Sequence, residues 1–229
     1  METISSEDSK SGKSYFAFFD LDQTIIHANS GRLLALEAYK GGMMTSMDLV
    51  RGIWLSILYR LNLKDTEKII TDMVSWVTGL PETTLIDLSI RIFDNFLLNA
   101  ITDNARSEIR FHKEKNAGIV ILSSSLSTVC QAVAKHLEMD DVISSKLEVV
   151  DGLYTGRPVG KLCFGEEKAV RLREYCKKNN SKVRDAWYYG DSIADFPALK
   201  IVGHPVCVNP DKKLVRWANK NDWKICRWK

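Results

Sequence analysis

Short runs of consecutive apolar residues alternate along this chain with longer segments in which apolar residues recur every three or four positions. Four of the short runs have the length and composition of buried parallel strands. They are Tyr15–Asp20, Gly118–Leu122, Asp185–Tyr189 and Ile201–Asn209. Strands that alternate with helical segments predict an α/β fold with a doubly wound parallel sheet.

A long helical segment separates the first two predicted strands. A crossover between parallel strands needs only about a dozen residues, yet residues 21–117 lie between these two runs. Residues 30–100 carry apolar side chains at helical spacing. We therefore predict an inserted, all-helical cap subdomain at residues 30–100, a core built from residues 15–29 and 101–229, and a flexible polar tail at residues 1–14.

Turn and capping residues predict the limits of individual elements. Gly41 should end the first cap helix, Ser46 should cap the second, and Pro81 should begin a long helix. The Asp151-Gly152 pair predicts a β-hairpin. The expected helices include Asp65–Val77, Pro81–Leu98, Thr102–Asn116, Glu166–Asn179 and Pro210–Asn219; the expected hairpin strands are Val142–Val150 and Leu153–Pro158, and Trp223–Trp228 is a last strand or extended tail.

Two aspartates come directly at the end of the first predicted strand. Asp20 and Asp22 lie at the carboxyl edge of the sheet, where open α/β sheets place their ligand sites. Two carboxylates this close repel each other unless a cation, a proton or a cationic side chain offsets their charge. Because oxygen ligands of this kind suit Mg²⁺, the pair predicts a divalent-metal site.

Polar residues also follow the second and third strands. Ser123 and Ser124 follow the second, and Asp191 and Asp195 follow the third. Lys168 lies near the start of the helix that precedes the third strand. Since the ends of parallel strands lie at one edge of the sheet, we expect all of these groups to meet the first two aspartates.

The order and spacing of these groups resemble the four motifs of the haloacid dehalogenase superfamily. The motifs are Asp-x-Asp-x-Thr ending at Thr24, a strand followed by Ser123, the helix-start Lys168, and Gly-Asp-x-x-x-Asp from Gly190 to Asp195. The resemblance covers roughly Tyr15–Asn209. It implies a Rossmann-like core and a Mg²⁺-dependent phosphatase. The position of the cap is similar to that in the branch of phosphoserine phosphatases, subfamily IB.

The resemblance also implies roles for individual residues. Asp20 would be the nucleophile that forms an aspartyl-phosphate, and Asp22 would be the general acid and then the base. Lys168 would neutralise charge beside the nucleophile. The implied metal site comprises Asp20, Asp22 through its backbone carbonyl, Asp191, and Asp195, which would orient the metal ligands or Lys168.

The same resemblance implies a substrate site. Ser123 and the amide of Ser124 would bind phosphoryl oxygens near a helix start, and Thr24 would fix the loop after the first strand. His27 is a further candidate substrate contact. Asn29 stands where phosphoserine phosphatases carry a glutamate that pairs with the substrate amine, and a neutral amide is a poorer partner for an ammonium.

Several of these residues have simpler interpretations. Ser123 and Ser125 are also suitable helix caps, and Asp195 could cap the helix towards Leu199. Lys168 could be a solvated lysine, with Lys161 as the alternative for its role. His27 could be a polar hinge residue. Gln23 replaces the glycine that is often found at this position in relatives, and its side chain should point away from the chemistry.

The composition of the cap leaves the substrate open. Trp54, Leu55 and Ile57 belong to an apolar cluster that is either cap core or a surface for a lipid phosphate. The candidate contacts for a second anionic group are Arg32, Arg51, Arg60 and Arg91. We expect a small phosphate ester as substrate, with phosphoserine as one candidate. The alternatives are a lysophospholipid or other lipid-headgroup phosphate, a phosphotransferase reaction and a silent binding module.

Net charge bears on the class of binding partner, and cysteine content bears on the cellular compartment. A net charge of +3 on 229 residues, with the basic residues scattered, does not favour nucleic acid. The five cysteines form no Cys-x-x-Cys pair, which indicates reduced thiols in a cytoplasmic protein. No apolar run has the length of a membrane span. The oligomeric state is not indicated by the sequence.

Overall fold

The computed structural model describes residues 12–60 and 72–228, with the backbone alone for residues 56–60. A six-stranded sheet forms its centre, in the order β3-β2-β1-β6-β7-β8. Every neighbouring pair in this sheet is parallel. Its strands are β1 (Phe16–Phe19), β2 (Gly118–Leu126), β3 (Asp141–Ser145), β6 (Trp187–Gly190), β7 (His204–Val208) and β8 (Lys224–Cys226). The predicted doubly wound α/β fold is therefore confirmed.

Successive residues of a strand point to opposite faces of the sheet, so the continuous apolar strands make both faces apolar. Helices cover both of these faces. Phe19 and Ile121 belong to one apolar core, which is completed by helices α1 (Ser30–Lys40), α3 (Glu82–Ile92), α4 (Asp103–Glu114) and α5 (Ser127–His136). Phe18 and Tyr188 belong to the core on the other face, which is covered by α6 (Glu166–Lys178), α7 (Phe196–Ile201) and α8 (Lys212–Lys220). The sheet is buried on both sides, as its continuous apolar strands require.

The described elements between β1 and β2 are helical. They are α1, α2 (Ser46–Arg60), a 3₁₀ turn (Ser75–Val77), α3, a π-helical stretch (Phe93–Leu97), a second 3₁₀ turn (Leu98–Ala100) and α4. Thr45 and Asp48 bond each other's backbone N–H groups, so Thr45 caps α2 in place of the predicted Ser46. The predicted tail and the helix Asp65–Val77 fall largely outside the described residues.

One predicted strand divides into two. The pattern over Val142–Val150 predicts a single hairpin strand, but residues 141–145 form β3 in the central sheet. The strands β4 (Leu147–Val150) and β5 (Leu153–Pro158) then form a separate antiparallel hairpin. This hairpin packs on the segment before α3, where Gly79 N–H donates to the Tyr154 carbonyl and Tyr154 N–H donates to the Leu80 carbonyl. Among the described helices, none is long and apolar enough to span a bilayer.

Candidate active site

A tight turn after β1 places the first two aspartates. The Leu21 carbonyl accepts from the N–H groups of residues 24, 25 and 26, so the chain coils back immediately beyond the strand. Gln23 lies at φ 59°, the left-handed region that favours glycine. Its side-chain amide donates to the Ala28 carbonyl at 3.1 Å, away from the aspartates. Glycine would suit this left-handed turn, and the bond to Ala28 shows how glutamine fits it.

Lys168 is buried between two carboxylates. Its Nζ lies 2.8 Å from Asp20 Oδ1 and 2.5 Å from Asp195 Oδ1. The Tyr188 hydroxyl also lies 3.2 Å from Nζ and donates to Asp195 Oδ1 at 2.7 Å. Lys168 is 2% exposed, so the interpretation as a solvated lysine is wrong. The alternative candidate, Lys161, is exposed.

Asp195 anchors the turn after β6. Its Oδ2 accepts from the backbone N–H groups of Asp191 and Ser192 and from the Ser192 hydroxyl, at 3.1–3.2 Å. A Cβ atom at Gly190 would lie 2.7 Å from the Asp195 side chain and 2.8 Å from Tyr188, so glycine is needed for this close approach. Asp195 thus fixes both Lys168 and the backbone at Asp191.

Burial and mutual repulsion shift the titration of this cluster. Burial raises the pKa of Asp20 to about 6 against the opposing effect of the Lys168 ammonium. Burial, followed by the charges of Asp195 and Asp20, raises the pKa of Asp191 to about 9. Burial works against ionisation of Asp195 too, but its contacts with Lys168 lower the pKa of its carboxyl. Three carboxylates face one ammonium, which leaves negative charge unbalanced.

This cluster has a donor set that fits a divalent cation. Carboxylate oxygens of Asp20, Asp191 and Asp195 lie within 4.8 Å of one another. Hard oxygen ligands of this type suit Mg²⁺, and a cation would offset the charge that raises the pKa values of Asp20 and Asp191. The Asp22 carboxylate is not part of this group: its Oδ1 accepts from the Ser30 N–H at 3.1 Å.

The predicted phosphate-binding serines lie at an irregularity in β2. The pairing of β2 with β3 changes register between Leu122 and Leu126, which frees this stretch from the regular ladder. Ser123 is buried, and its hydroxyl accepts from the Ser125 N–H at 3.3 Å, whereas Ser124 is exposed. The strand therefore continues through the serines, and α5 begins only at residue 127.

The other three predicted substrate residues, Thr24, His27 and Asn29, lie in different environments. Thr24 is fully buried, and its hydroxyl has no hydrogen-bond partner among the described residues. Asn29 caps α1, because its side-chain oxygen accepts from the Arg32 N–H at 2.8 Å. His27 is exposed, and its backbone N–H donates to the Ala100 carbonyl.

Three of the four candidate arginines have exposed side chains in the described part of the chain. Arg32 and Arg91 are exposed, and Arg51 pairs with Asp72 at 3.1 Å. The side chain of Arg60 lies outside the described part of the chain.

Comparison with known families adds the decisive observation. A sequence profile of haloacid dehalogenase-like hydrolases matches residues 17–200. The chain belongs to the haloacid dehalogenase-like hydrolase family. The predicted family and enzyme class are thereby confirmed, and the match covers all four predicted motifs.

Individual relatives agree with this family. The chain is 26% identical over 217 residues to a Mycobacterium tuberculosis protein named phosphoserine phosphatase SerB1, covering 91% of this chain and 69% of that one. It is 22% identical over 218 residues to a Neisseria meningitidis histidinol-phosphatase, covering 93% and 98%. A Bordetella pertussis structure of unknown function shares the fold at a TM-score of 0.84, with 23% identity over 93% and 98% of the two chains.

In this hydrolase, three contributors to the site were not predicted from the sequence. Tyr188 appears in the sequence as one aromatic residue of a buried strand, but its hydroxyl bridges Lys168 and Asp195. Ser192 bonds the Asp195 carboxylate. Ser30 is only the first residue of the predicted cap in the sequence, but its N–H contacts Asp22. Ser192 directly follows Asp191 of the predicted motif, and this position could have indicated that it belongs to the site. The contact of Ser30 with Asp22 depends on the tertiary fold and has no such signal.

Proposed function

We propose that this hydrolase is a Mg²⁺-dependent phosphomonoesterase that forms an aspartyl-phosphate on Asp20. The observation that carries the proposal is the largely buried cluster in which the carboxylates of Asp20, Asp191 and Asp195 face one ammonium among the described residues, that of Lys168. A carboxylate can attack an anionic phosphate ester only when nearby cations neutralise charge on its oxygens. The excess of carboxylates in this cluster supports binding of one such cation.

Asp20 and Asp191 would hold the ion, while Asp195 keeps its two oxygens on Lys168 and the turn after β6. A bound Mg²⁺ supplies charge neutralisation at the phosphoryl oxygens. Lys168 keeps Asp20 ionised and oriented through the 2.8 Å contact to Oδ1. Ser123, with the amide of Ser124, supplies donors to the phosphoryl group.

The reaction then proceeds in two displacements. A carboxylate oxygen of Asp20 attacks phosphorus, the P–O bond to the alcohol breaks, and the proton of Asp22 passes to the departing alcohol oxygen. In the second step water attacks phosphorus and transfers a proton to Asp22. The bond between phosphorus and the Asp20 oxygen breaks, and inorganic phosphate leaves. The net reaction consumes one ester and one water.

Phosphate release from p-nitrophenyl phosphate tests this function. We expect turnover with Mg²⁺, none after EDTA treatment, recovery on adding Mg²⁺ back, and loss of at least about 10³-fold in Asp20→Asn, because the amide is not a nucleophile. Turnover in purified Asp20→Asn would contradict the role of Asp20. If glycerol added as an acceptor collected the phosphoryl group in place of water, the enzyme would be a phosphotransferase.

A small phosphate ester is the proposed substrate class, in a cytoplasmic setting. One relative is named for phosphoserine and another for histidinol phosphate, both of which carry an amine. Phosphoserine is therefore a first substrate to test, although the side chain of Asn29 caps a helix. A panel of phosphorylated amino acids, amino alcohols and sugars, compared by kcat/KM, distinguishes these possibilities.

The surface of α2 favours one second candidate, a lipid phosphate. Met47, Val50, Ile53 and Trp54 are 52–78% exposed on this helix. An apolar helix surface of this kind suits the headgroup region of a bilayer. If the candidate is right, Trp54→Ser should lower turnover of lysophosphatidate in vesicles and leave p-nitrophenyl phosphate unaffected. We also propose that residues 30–100 form the cap over this site.

A further inference from the structure

Ser30, the first residue of α1, connects two parts of the candidate site. Its backbone N–H donates to Asp22 Oδ1 at 3.1 Å, and its hydroxyl lies 2.8 Å from the hydroxyl of Ser125. Ser30 is 1% exposed, so water does not compete for these contacts. It therefore bonds the loop after β1 and the end of β2 at the same time.

The connection extends to the serine proposed to bind phosphate. Ser125 N–H donates to the Ser123 hydroxyl at 3.3 Å. An unbroken series of contacts thus runs from Ser123 through Ser125 and Ser30 to Asp22. Asp22 and Ser30 are 8 residues apart, whereas Ser125 lies 95 residues beyond Ser30, so the first residue of α1 joins the loop after β1 to a distant strand end.

We propose that Ser30 is a positioning residue that holds the Asp22 carboxyl in line with the ester oxygen of a phosphate bound at Ser123. This inference rests on the proposed function, in which Asp22 gives its proton to the departing alcohol. The N–H of Ser30 fixes one oxygen of Asp22, which leaves the orientation of the other oxygen defined. The hydroxyl contact to Ser125 fixes α1 relative to the phosphate-binding strand end.

The proposal predicts a dependence on the leaving group. An alkyl alkoxide is a poor leaving group that needs a proton as the P–O bond breaks, whereas p-nitrophenolate leaves readily without one. Misplacing Asp22 should therefore slow an alkyl ester much more than an aryl ester. Loss of fold or of phosphate binding would slow both esters alike, so this difference separates positioning from general structural support.

Two substitutions remove the two contacts in turn. Ser30→Ala removes the hydroxyl and keeps the N–H. Ser30→Pro removes the N–H as well, and proline is tolerated at the first position of a helix. The residue before it, Asn29, already has the extended conformation that proline requires, with φ −114° and ψ 102°. Ala35→Gly is the matched control, because it weakens α1 without touching Ser30.

The experiment compares kcat/KM for glycerol 2-phosphate and p-nitrophenyl phosphate, with saturating Mg²⁺. This ratio reports the step that expels the alcohol. We expect Ser30→Ala to lose about 3-fold and Ser30→Pro about 30-fold on the alkyl ester, less than the roughly 10²–10⁴-fold of a complete general acid, because Asp22 is misplaced rather than removed. On the aryl ester Ser30→Ala should lose less than about 1.5-fold and Ser30→Pro less than about 3-fold, because p-nitrophenolate leaves without a proton. Ala35→Gly should affect the two esters equally.

Equal losses on both esters in Ser30→Ala or Ser30→Pro would overturn the role of Ser30, as would an unchanged alkyl ester rate. If circular dichroism finds Ser30→Pro unfolded, Ser30→Ala decides the question alone. A wild-type protein inactive on both esters would contradict the proposed function itself, which distinguishes that failure from a failure of this inference.

Discussion

Two buried polar clusters lie close to the central sheet, and their charges differ. In the first, the ring of His112 lies between Tyr15 and Tyr189, with hydrogen bonds of 2.8 and 2.7 Å, and Tyr189 donates to Glu108 at 2.6 Å. In the second, three carboxylates share one ammonium, that of Lys168. The first cluster pairs its buried donors and acceptors, whereas the second is left with excess negative charge.

The difference indicates which cluster has a chemical role. Because the Tyr189 O–H is donated to Glu108, we infer that His112 donates from Nε2 and accepts the Tyr15 O–H at Nδ1. This arrangement uses a neutral imidazole and needs no further partner. The carboxylate cluster is costly in the absence of a cation, which is typical of a site built for a ligand rather than for stability.

The largest effect should follow loss of Lys168. In Lys168→Met the carboxylates of Asp20 and Asp195 remain buried without their ammonium, and breaking a buried pair costs about 3–5 kcal/mol. We expect turnover of p-nitrophenyl phosphate to be abolished and urea denaturation at pH 7 to give a lower free energy of unfolding. Lys161→Met should retain the turnover and the free energy of unfolding of the wild type. The opposite ranking of the two lysines would contradict the assignment.

Removal of the Asp191 carboxylate should show that the carboxylate cluster, unlike the His112 cluster, carries excess negative charge. The pKa of Asp191 is 3.8 in the unfolded chain and about 9 in the folded protein, so folding binds a proton, and this stabilisation is lost as the pH rises through that window. Without metal, Asp191→Asn should therefore raise the melting temperature at pH 8. Mg²⁺ should raise the melting temperature of the wild type and have little effect on the variant.

Asn is isosteric with Asp, so the two proteins form a matched pair for thermal unfolding with EDTA and with Mg²⁺. An equal rise on adding Mg²⁺ in both proteins would place the cation elsewhere.

The His112 cluster should respond to acid instead. Burial is the main cause that lowers the pKa of His112 to about 4, from 6.5 in the unfolded chain. Above pH 6.5 both states are neutral. Between pH 6.5 and 4 only the unfolded state gains a proton, so the free energy of unfolding should fall by at most about 3 kcal/mol.

Urea denaturation of the wild type and His112→Asn across this pH range measures the effect. The variant should be less stable at pH 7 and should lack this part of the acid slope, while the exposed His136→Asn should keep it. An unchanged slope in His112→Asn would assign the acid sensitivity to other groups.

The sequence predicts the parts of the fold that depend on local pattern. The strands β1, β2 and β6 are continuous apolar runs, which are typical of a sheet buried on both faces. The division of Val142–Val150 was not predicted, because the polar residues 144–146 that separate its two apolar parts include no glycine or proline to mark the change of sheet. Strand partners depend on contacts that pattern alone does not contain.

The candidate site likewise has a part that the sequence pattern predicts and a part that it does not. Asp20, Lys168, Asp191 and Asp195 were predicted to meet because parallel strand ends share one edge, and the structure brings them together. The contact of Ser30 with Asp22 arises from the way α1 packs, and that packing has no local sequence signal. Asn29 was a candidate substrate residue, but the structure uses its side chain as a helix cap.

Trapping the covalent intermediate tests the central claim most directly. The wild type is mixed with p-nitrophenyl phosphate and Mg²⁺, quenched in acid and reduced with borohydride, and the peptide that contains Asp20 is sequenced by mass spectrometry. Reduction of an aspartyl-phosphate converts that residue to homoserine. We predict homoserine at position 20 only when substrate and Mg²⁺ are both present. Homoserine at Asp22 or Asp191, or an unmodified residue 20 in enzyme that is turning over, would contradict the account.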